Sequence, residues 1–242
     1  MTTRIDLQPA YVLHTQPFQN TSLLVDFFCL DHGRIRAVAK GARRPKSRTR
    51  ALLQPFQPLL VTLAGRAELK TLTAVEGSVN VFNLQGTRLF SGMYLNELLV
   101  RLLLFNEGHP ELYQSYQQAI IGLHGDRDLQ QILRCFELEL LDALGYGFNR
   151  EDDCTTGQPI DPDALYLFHP DVGFERVAGH AEAHVGNPAL FSGSDILSLG
   201  SNLSDDRVVS NAARRLTRMA LQAHLGDKPL VSRELFLKQR ES

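Results

Sequence analysis

The stretch SLLVDFFCLDHGRIRAVAKGARRPKSRTR, residues 22–50, decides the fold class. Two runs within it, 22–30 and 34–40, are rich in Val, Ile, Leu and Phe. The break between them is Asp31-His32-Gly33, where Gly can take the positive φ that a tight turn needs. They read as a β-hairpin. In the second run Arg34, Arg36 and Lys40 share one parity and Ile35, Ala37 and Ala39 the other, so the strand is expected to bury an apolar face and turn its cations outward. The segment that follows, KGARRPKSRTR at 40–50, holds Lys40, Arg43, Arg44, Lys46, Arg48 and Arg50 and no acid, and reads as a loop on the same body.

Outward from the hairpin, further strand-like runs lie at 10–14, 58–63 and 67–75, the last two joined by Ala64-Gly65-Arg66. Short strands packed into the first eighty residues predict a small closed barrel; an OB-fold is one such architecture, and other small barrels are equally compatible. From Arg88 the apolar period becomes helical, with Leu95, Leu98, Leu99, Leu102 and Phe105 on one face. A second helix is predicted over 111–123 and a third over 128–144, whose stripe is Leu129, Ile132, Leu133, Phe136, Leu140 and Leu144, with Arg134, Glu137 and Glu139 off it. Residues 150–204 are acidic and weakly periodic, with one hairpin at 165–168 and 173–177. A fourth helix, capped by Asp205 or Asp206, runs to a stop at Gly226, and Ser232 can cap a last short one. The expected class is therefore α+β and multidomain, with ranges 1–80, 81–149, 150–204 and 205–242.

A length of 242 residues suits more than one domain, and 43% hydrophobic with 21% charged residues is the make-up of a globular chain with a real core. No apolar run reaches the ~18–20 residues of a membrane span, and the opening MTTRIDLQPA lacks a basic-then-apolar leader, so neither a membrane nor a secreted protein is expected. Cys29, Cys135 and Cys154 are odd in number and dispersed, which points to a reducing cytosol and no disulfide framework. The formal net charge of −2 conceals a strong asymmetry: +6 over 1–80, −3 over 81–150, −10 over 151–206 and +5 over 207–242. Such a distribution points to a polyanion-binding surface at the N-terminal end.

Six cations in eleven positions repel one another unless a polyanion or solvent ions screen them, and nucleic-acid phosphate is the commonest such partner; the competing reading is a solvated basic loop. Among the nearby aromatics, Tyr11, Phe18, Phe27, Phe28 and Phe56, most are expected in the core and one or two outside, where they could stack bases. A second basic cluster, Arg214, Arg215 and Arg218, has helical spacing and reads as a secondary contact or a solvated face. Cys154 has no second Cys within four residues, and His180 with His184 would supply only one pair, so no zinc site is expected from spacing. Phosphate-loop, H-E-x-x-H, G-x-S-x-G and G-x-G-x-x-G signatures are missing; Glu151, Asp152 and Asp153 with one of those histidines would be the raw material of a metal-dependent nuclease, the alternative enzyme reading. A sequence-specific DNA-binding regulator is a further alternative, for which no helix-turn-helix pair is visible.

YVLHTQPFQNTSLLVDFF at 11–28, GRIRAVAKGAR at 33–43, LLQPFQPLLV at 52–61, SGMYLNELL at 91–99, FELELLDALGYG at 136–147 and KPLVSRELF at 228–236 together resemble the bacterial recombination mediator family RecO, most closely its proteobacterial members. The resemblance spans nearly the whole chain. It implies an N-terminal OB-fold barrel, a helical domain, and a zinc-finger-like insertion that is degenerate here. Many members carry four cysteines there and this chain keeps Cys154, so no metal and no cofactor are expected. It also implies a non-enzymatic function, namely binding of single- and double-stranded DNA, annealing of complementary strands and, with RecR, loading of RecA onto strands coated by single-strand binding protein. A cytoplasmic, nucleoid-associated location goes with that function. Docking of the acidic C-terminal tail of single-strand binding protein needs an apolar pocket with a cation at its rim, and Arg134 with Leu138 and Leu141 is the combination expected to supply it.

Overall fold

In the computed structural model, which describes residues 4–78, 81–177, 186–200 and 211–234, the chain forms two compact units. The first is Met1–Asp126 with Pro229–Ser242, and the second is Arg127–Lys228.

The first unit opens with β1 (Arg4–Phe18), β2 (Ser22–Cys29) and β3 (Gly33–Ala39), continues through the short helix α1 (Arg48–Leu52), and adds β4 (Leu59–Ala64) and β5 (Lys70–Gly77). These strands close into an OB-like barrel in the order β1-β2-β3-β5-β4. β1 is far longer than its apolar run suggests because its two halves serve different partners: residues from Ala10 onward pair with β2, and Arg4 to Ala10 pair with β4. Bulges between Val12 and His14 and between Ile5 and Gln8 supply the bend. Closure rests on two parallel pairs, Ala37 with Lys70 and Val38 with Thr71. Inward residues of β1 to β4, among them Val12, Val25, Phe27, Ile35, Val61 and Leu63, are fully buried, Leu72 and Val75 of β5 pack against them partly buried, and Ala42 and Leu53 join this core from the basic segment and just after it.

α2 (Gly86–Leu102) and α3 (Pro110–His124) belong to the same unit. Asn96 on α2 meets the β1 bulge: its amide donates to the carbonyls of Val12 (3.3 Å) and of Leu13 (3.0 Å), the residue that the bulge leaves without a partner in the β1–β2 register. Its Oδ1 accepts from the Tyr116 hydroxyl of α3 at 2.6 Å. Around this link Tyr11 and Phe28 of the barrel pack against Tyr113 and Tyr116, with ring centroids 5.1–6.0 Å apart. After α2, Phe105 bridges to Arg34, and the Asn106 amide donates to the Arg34 carbonyl at 2.8 Å, so this connection runs along the edge of β3. Gly33, at φ +62°, is required there, since a Cβ would fall 1.7 Å from the carbonyl oxygen of Glu107. The chain comes back to this unit at Pro229, whose carbonyl accepts from Arg101. Glu97 then accepts from the amides of Val231 and Ser232 (both 2.8 Å) and from the Ser232 hydroxyl (2.6 Å). Ser232 thus donates its hydroxyl to Glu97 instead of capping a helix that starts after it; the helical turn includes it, at 231–234.

The second unit contains α4 (Leu129–Ala143), the three-stranded sheet β7-β6-β8 made of β6 (Leu165–His169), β7 (Gly173–Arg176) and β8 (Leu190–Ser192), and the helices α5 (Gly193–Gly200) and α6 (Asn211–Leu225). Asp128 caps α4, its Oδ1 accepting from the Gln131 amide at 2.8 Å. Phe148, Phe168, Phe174 and Phe191 pack edge-to-face or tilted at 4.9–6.3 Å to form the core beneath the sheet. β8 and α5 lie in the weakly periodic stretch 150–204, and the expected start of the fourth helix lies outside the described residues. The range 81–149 is divided between the two units at Asp126, and 205–242 at Pro229.

Candidate nucleic-acid interface

Register places the outward side chains of three neighbouring strands in rows: His14, Asp26 and Arg36; then Gln16, Leu24 and Val38; then Phe18 and Ser22, with Lys40 just past the end of β3. The inward partners are Thr15 with Val25 and Pro17 with Leu23, and it is Val25 and Leu23 that belong to the barrel core; Ser22 and Val38, though on the outer face, are also buried. Beyond this face runs the basic segment. Ala42 and Leu53 anchor it in the barrel core, the Arg43 amide donates to the Thr21 carbonyl at 2.8 Å, and the Ser47 hydroxyl caps α1 by accepting from the Arg50 amide. Lys40, Arg43, Arg44, Lys46, Arg48 and Arg50 are all exposed and form no ion pair among the described residues. The Arg43 guanidinium reaches the Gln19 carbonyl at the tip of the β1–β2 hairpin (3.3 Å). Lys70 comes beside Ala37 through the parallel β3–β5 closure, a pairing that no local pattern announces, and so shares the inward parity of Ala37; its amine donates to the Gly65 carbonyl at 3.0 Å and does not join the outward cations.

Arg34 leaves the candidate surface. Its parity is outward as expected, but outward at that end of β3 means under the helices, not into water. The guanidinium is buried, donates to Asp26 at 2.8 Å and to the carbonyls of Val100 and Leu103 at the end of α2, and lies 4.2 Å from the Phe105 ring centroid. Arg36 is half-buried and gives two hydrogen bonds to the same Asp26, at 2.5 and 2.8 Å. Burial alone would raise the Asp26 pKa, yet the hydrogen bonds and charges of Arg36 and Arg34 outweigh it and hold the carboxyl below its ordinary value. One carboxylate therefore offsets part of the charge of two arginines, and Arg36 remains at the margin of the surface.

Of the barrel aromatics, Tyr11, Phe27, Phe28 and Phe56 are buried and Phe18 is half-exposed. In the second unit Arg214 and Arg218 are exposed on α6, whereas Arg215 turns inward, donating to the Leu190 carbonyl at 2.5 Å with its guanidinium 4.3 Å from the Phe191 ring centroid. The expected rim cation is also inward: Arg134 is 7% exposed, pairs with the fully buried Glu137 at 2.8 Å and donates to Thr217 on α6 at 2.9 Å. Leu138 and Leu141 are buried with it, because α4 is covered over a face wider than its leucine stripe. These three residues do not present a pocket.

The residues around Cys154 do not fit a zinc ion. Among the described residues no three His, Cys, Asp or Glu side chains gather as a metal would require, and His180 and His184 lie outside those residues. A carboxylate organises the knuckle instead. Asp153, 3% exposed, accepts from the amides of Thr155 (2.8 Å) and Thr156 (2.7 Å) through Oδ1 and from the amide of Arg176 on β7 (2.6 Å) through Oδ2. Desolvation pushes its pKa up, but these backbone hydrogen bonds prevail and hold it below the ordinary range. The Cys154 amide donates to the Phe174 carbonyl at 2.8 Å, completing the tie between knuckle and hairpin. With both oxygens of Asp153 engaged by backbone amides, this carboxylate serves the fold of its loop.

The N-terminal domain of recombination protein O matches residues 3–80, and its C-terminal domain matches residues 83–234. The chain is 45% identical over 235 residues to the DNA repair protein RecO of Stutzerimonas stutzeri, covering 97% of this chain and 95% of the relative. Its counterpart in Pseudomonas aeruginosa is also 45% identical, over 97% of this chain and 96% of its own length. That of Actinobacillus pleuropneumoniae is 44% identical over 227 residues, or 93% and 92%. With both domains matched in order along an OB-like barrel and a helical region, this chain belongs to the recombination protein O family of DNA repair proteins.

Proposed function

We propose that the segment 40–50, with the margin of Arg36, binds the phosphate backbone of DNA, and that the chain acts as a recombination mediator which anneals complementary strands. The observation that carries this reading is that six exposed cations are anchored at both ends by buried apolar residues and lack carboxylate partners among the described residues. A merely solvated loop has no reason to be pinned on both sides. Annealing asks only that two phosphate backbones be neutralised and held close, which counterion release drives without any covalent step; no catalytic residue is assigned, and the chain is read as a non-enzyme. Family membership supports the wider reading, in which the chain works with RecR to promote RecA loading on strands coated by single-strand binding protein, whose tail it contacts.

The test is charge reversal at Arg43 and Arg44 with annealing and anisotropy measured on labelled oligonucleotides. Annealing should fall, and each lost phosphate contact on a single strand should flatten the slope of log K against log salt by roughly 0.7. Unchanged annealing with an unchanged slope would overturn the assignment. Cleavage of labelled strands on addition of Mg²⁺ would overturn the non-enzyme reading.

A further inference from the structure

We infer that Phe18, at the tip of the β1–β2 hairpin, is a base-stacking platform that makes this surface prefer single-stranded over duplex DNA. The inference deepens the DNA-binding reading above and rests on it. Phe18 pairs with Ser22 on the outward side of the hairpin, in the row that Lys40 extends, and next to the Leu24–Val38 row. It is half-exposed on the outer face of the barrel. Tyr11, Phe27, Phe28 and Phe56 of the barrel are buried, and Phe105 lies beneath two guanidiniums; Phe18 has neither a ring nor a cation over it among the described residues. The hairpin that carries it is held at its tip, where the Thr21 carbonyl accepts from the Arg43 amide and the Gln19 carbonyl from the Arg43 guanidinium.

An apolar ring half out of water, bordered by Lys40 and Arg43, suits a ligand that is at once flat, apolar on its face and anionic along one edge. An unstacked nucleotide is that ligand: the base lies on the ring and its phosphates meet the cations. In a duplex the bases are stacked on one another and offer no free face, so the ring gains nothing there and only the cations act. Binding by phosphate alone would not distinguish the two forms in this way.

The chain has no tryptophan, so Phe18→Trp installs a sole indole at the tip. Its fluorescence should be quenched by an oligothymidylate single strand and little changed by a hairpin duplex of equal charge. In parallel, Phe18→Ala should weaken single-strand binding roughly fivefold to a hundredfold while leaving duplex affinity within about twofold, and Phe18→Tyr should restore single-strand binding. Equal losses on both ligands, no loss on either, or an indole insensitive to the single strand would overturn the inference. Failure of the underlying reading shows differently: the Arg43 and Arg44 reversal would then bind both ligands like the parent chain, whatever the Phe18 variants do.

Discussion

Asp26 is 2% exposed and faces two guanidiniums, so removing Arg34 leaves a buried carboxylate with one partner and frees two carbonyls at the end of α2. Arg34→Met should therefore destabilise the first unit by about 3–5 kcal/mol, read as a lower midpoint in urea, with DNA affinity of the folded fraction unchanged. A stable variant with weak binding would instead put Arg34 on phosphate. The same carboxyl sets a pH limit. A group held below its ordinary value in the folded state contributes stability that is complete above the unfolded value of about 3.9 and disappears as pH falls through the lower, folded one. In acid unfolding followed by circular dichroism the share of stability that Asp26 supplies should fall away below about pH 4, and Asp26→Asn should flatten the stability profile in that window. At this scale strand parity was legible in GRIRAVAK, residues 33–40, because a two-residue period is enforced by the pleat. What lies over the outward face was not, because the Phe105 segment that covers Arg34 is more than sixty residues away in the chain.

Around Asp153 one side chain organises two elements, the 151–160 loop and β7. Asp153→Asn keeps an oxygen for Thr155 and Thr156 but puts an NH₂ where the Arg176 amide must donate, a loss of about 1–3 kcal/mol to the second unit. Hydrogen exchange should show the amides of Thr155, Thr156 and Arg176 losing protection ahead of those on α4. Elemental analysis should find less than a stoichiometric amount of zinc, and a chelator should leave the midpoint of thermal unfolding unchanged; one zinc per chain would contradict the role given to Asp153. The helices were legible here because their stripes are local: α4, expected over 128–144, runs over Leu129–Ala143, with Asp128 as its cap and Gly145 at positive φ just past its end. Whether Arg134 faces water was not legible, since an i,i+3 partner in Glu137 and a neighbour from α6 make burial of an off-stripe arginine tolerable.

Over the whole molecule, the charge asymmetry in sequence becomes one between bodies: the residues of the first unit sum to +5 and those of the second to −7. If contacts stay on the six cations of 40–50, the salt slope for a single strand should be no steeper than roughly −4, and a steeper one would bring in further cations, Arg36 or the pair Arg214 and Arg218. Titrating salt with the parent chain and with Arg214→Ala/Arg218→Ala decides between them. The chain's path between the units has another consequence, one of timing. Glu97 is synthesised with the barrel, but the amides of Val231 and Ser232 that it receives come only after the whole of Arg127–Lys228 has been translated. At ribosomal speed that is a wait of about 5–20 s. During it the first unit stands on a nascent chain with its barrel complete and its last clasp open, so a truncation ahead of Pro229 would fix the protein permanently in that half-made state.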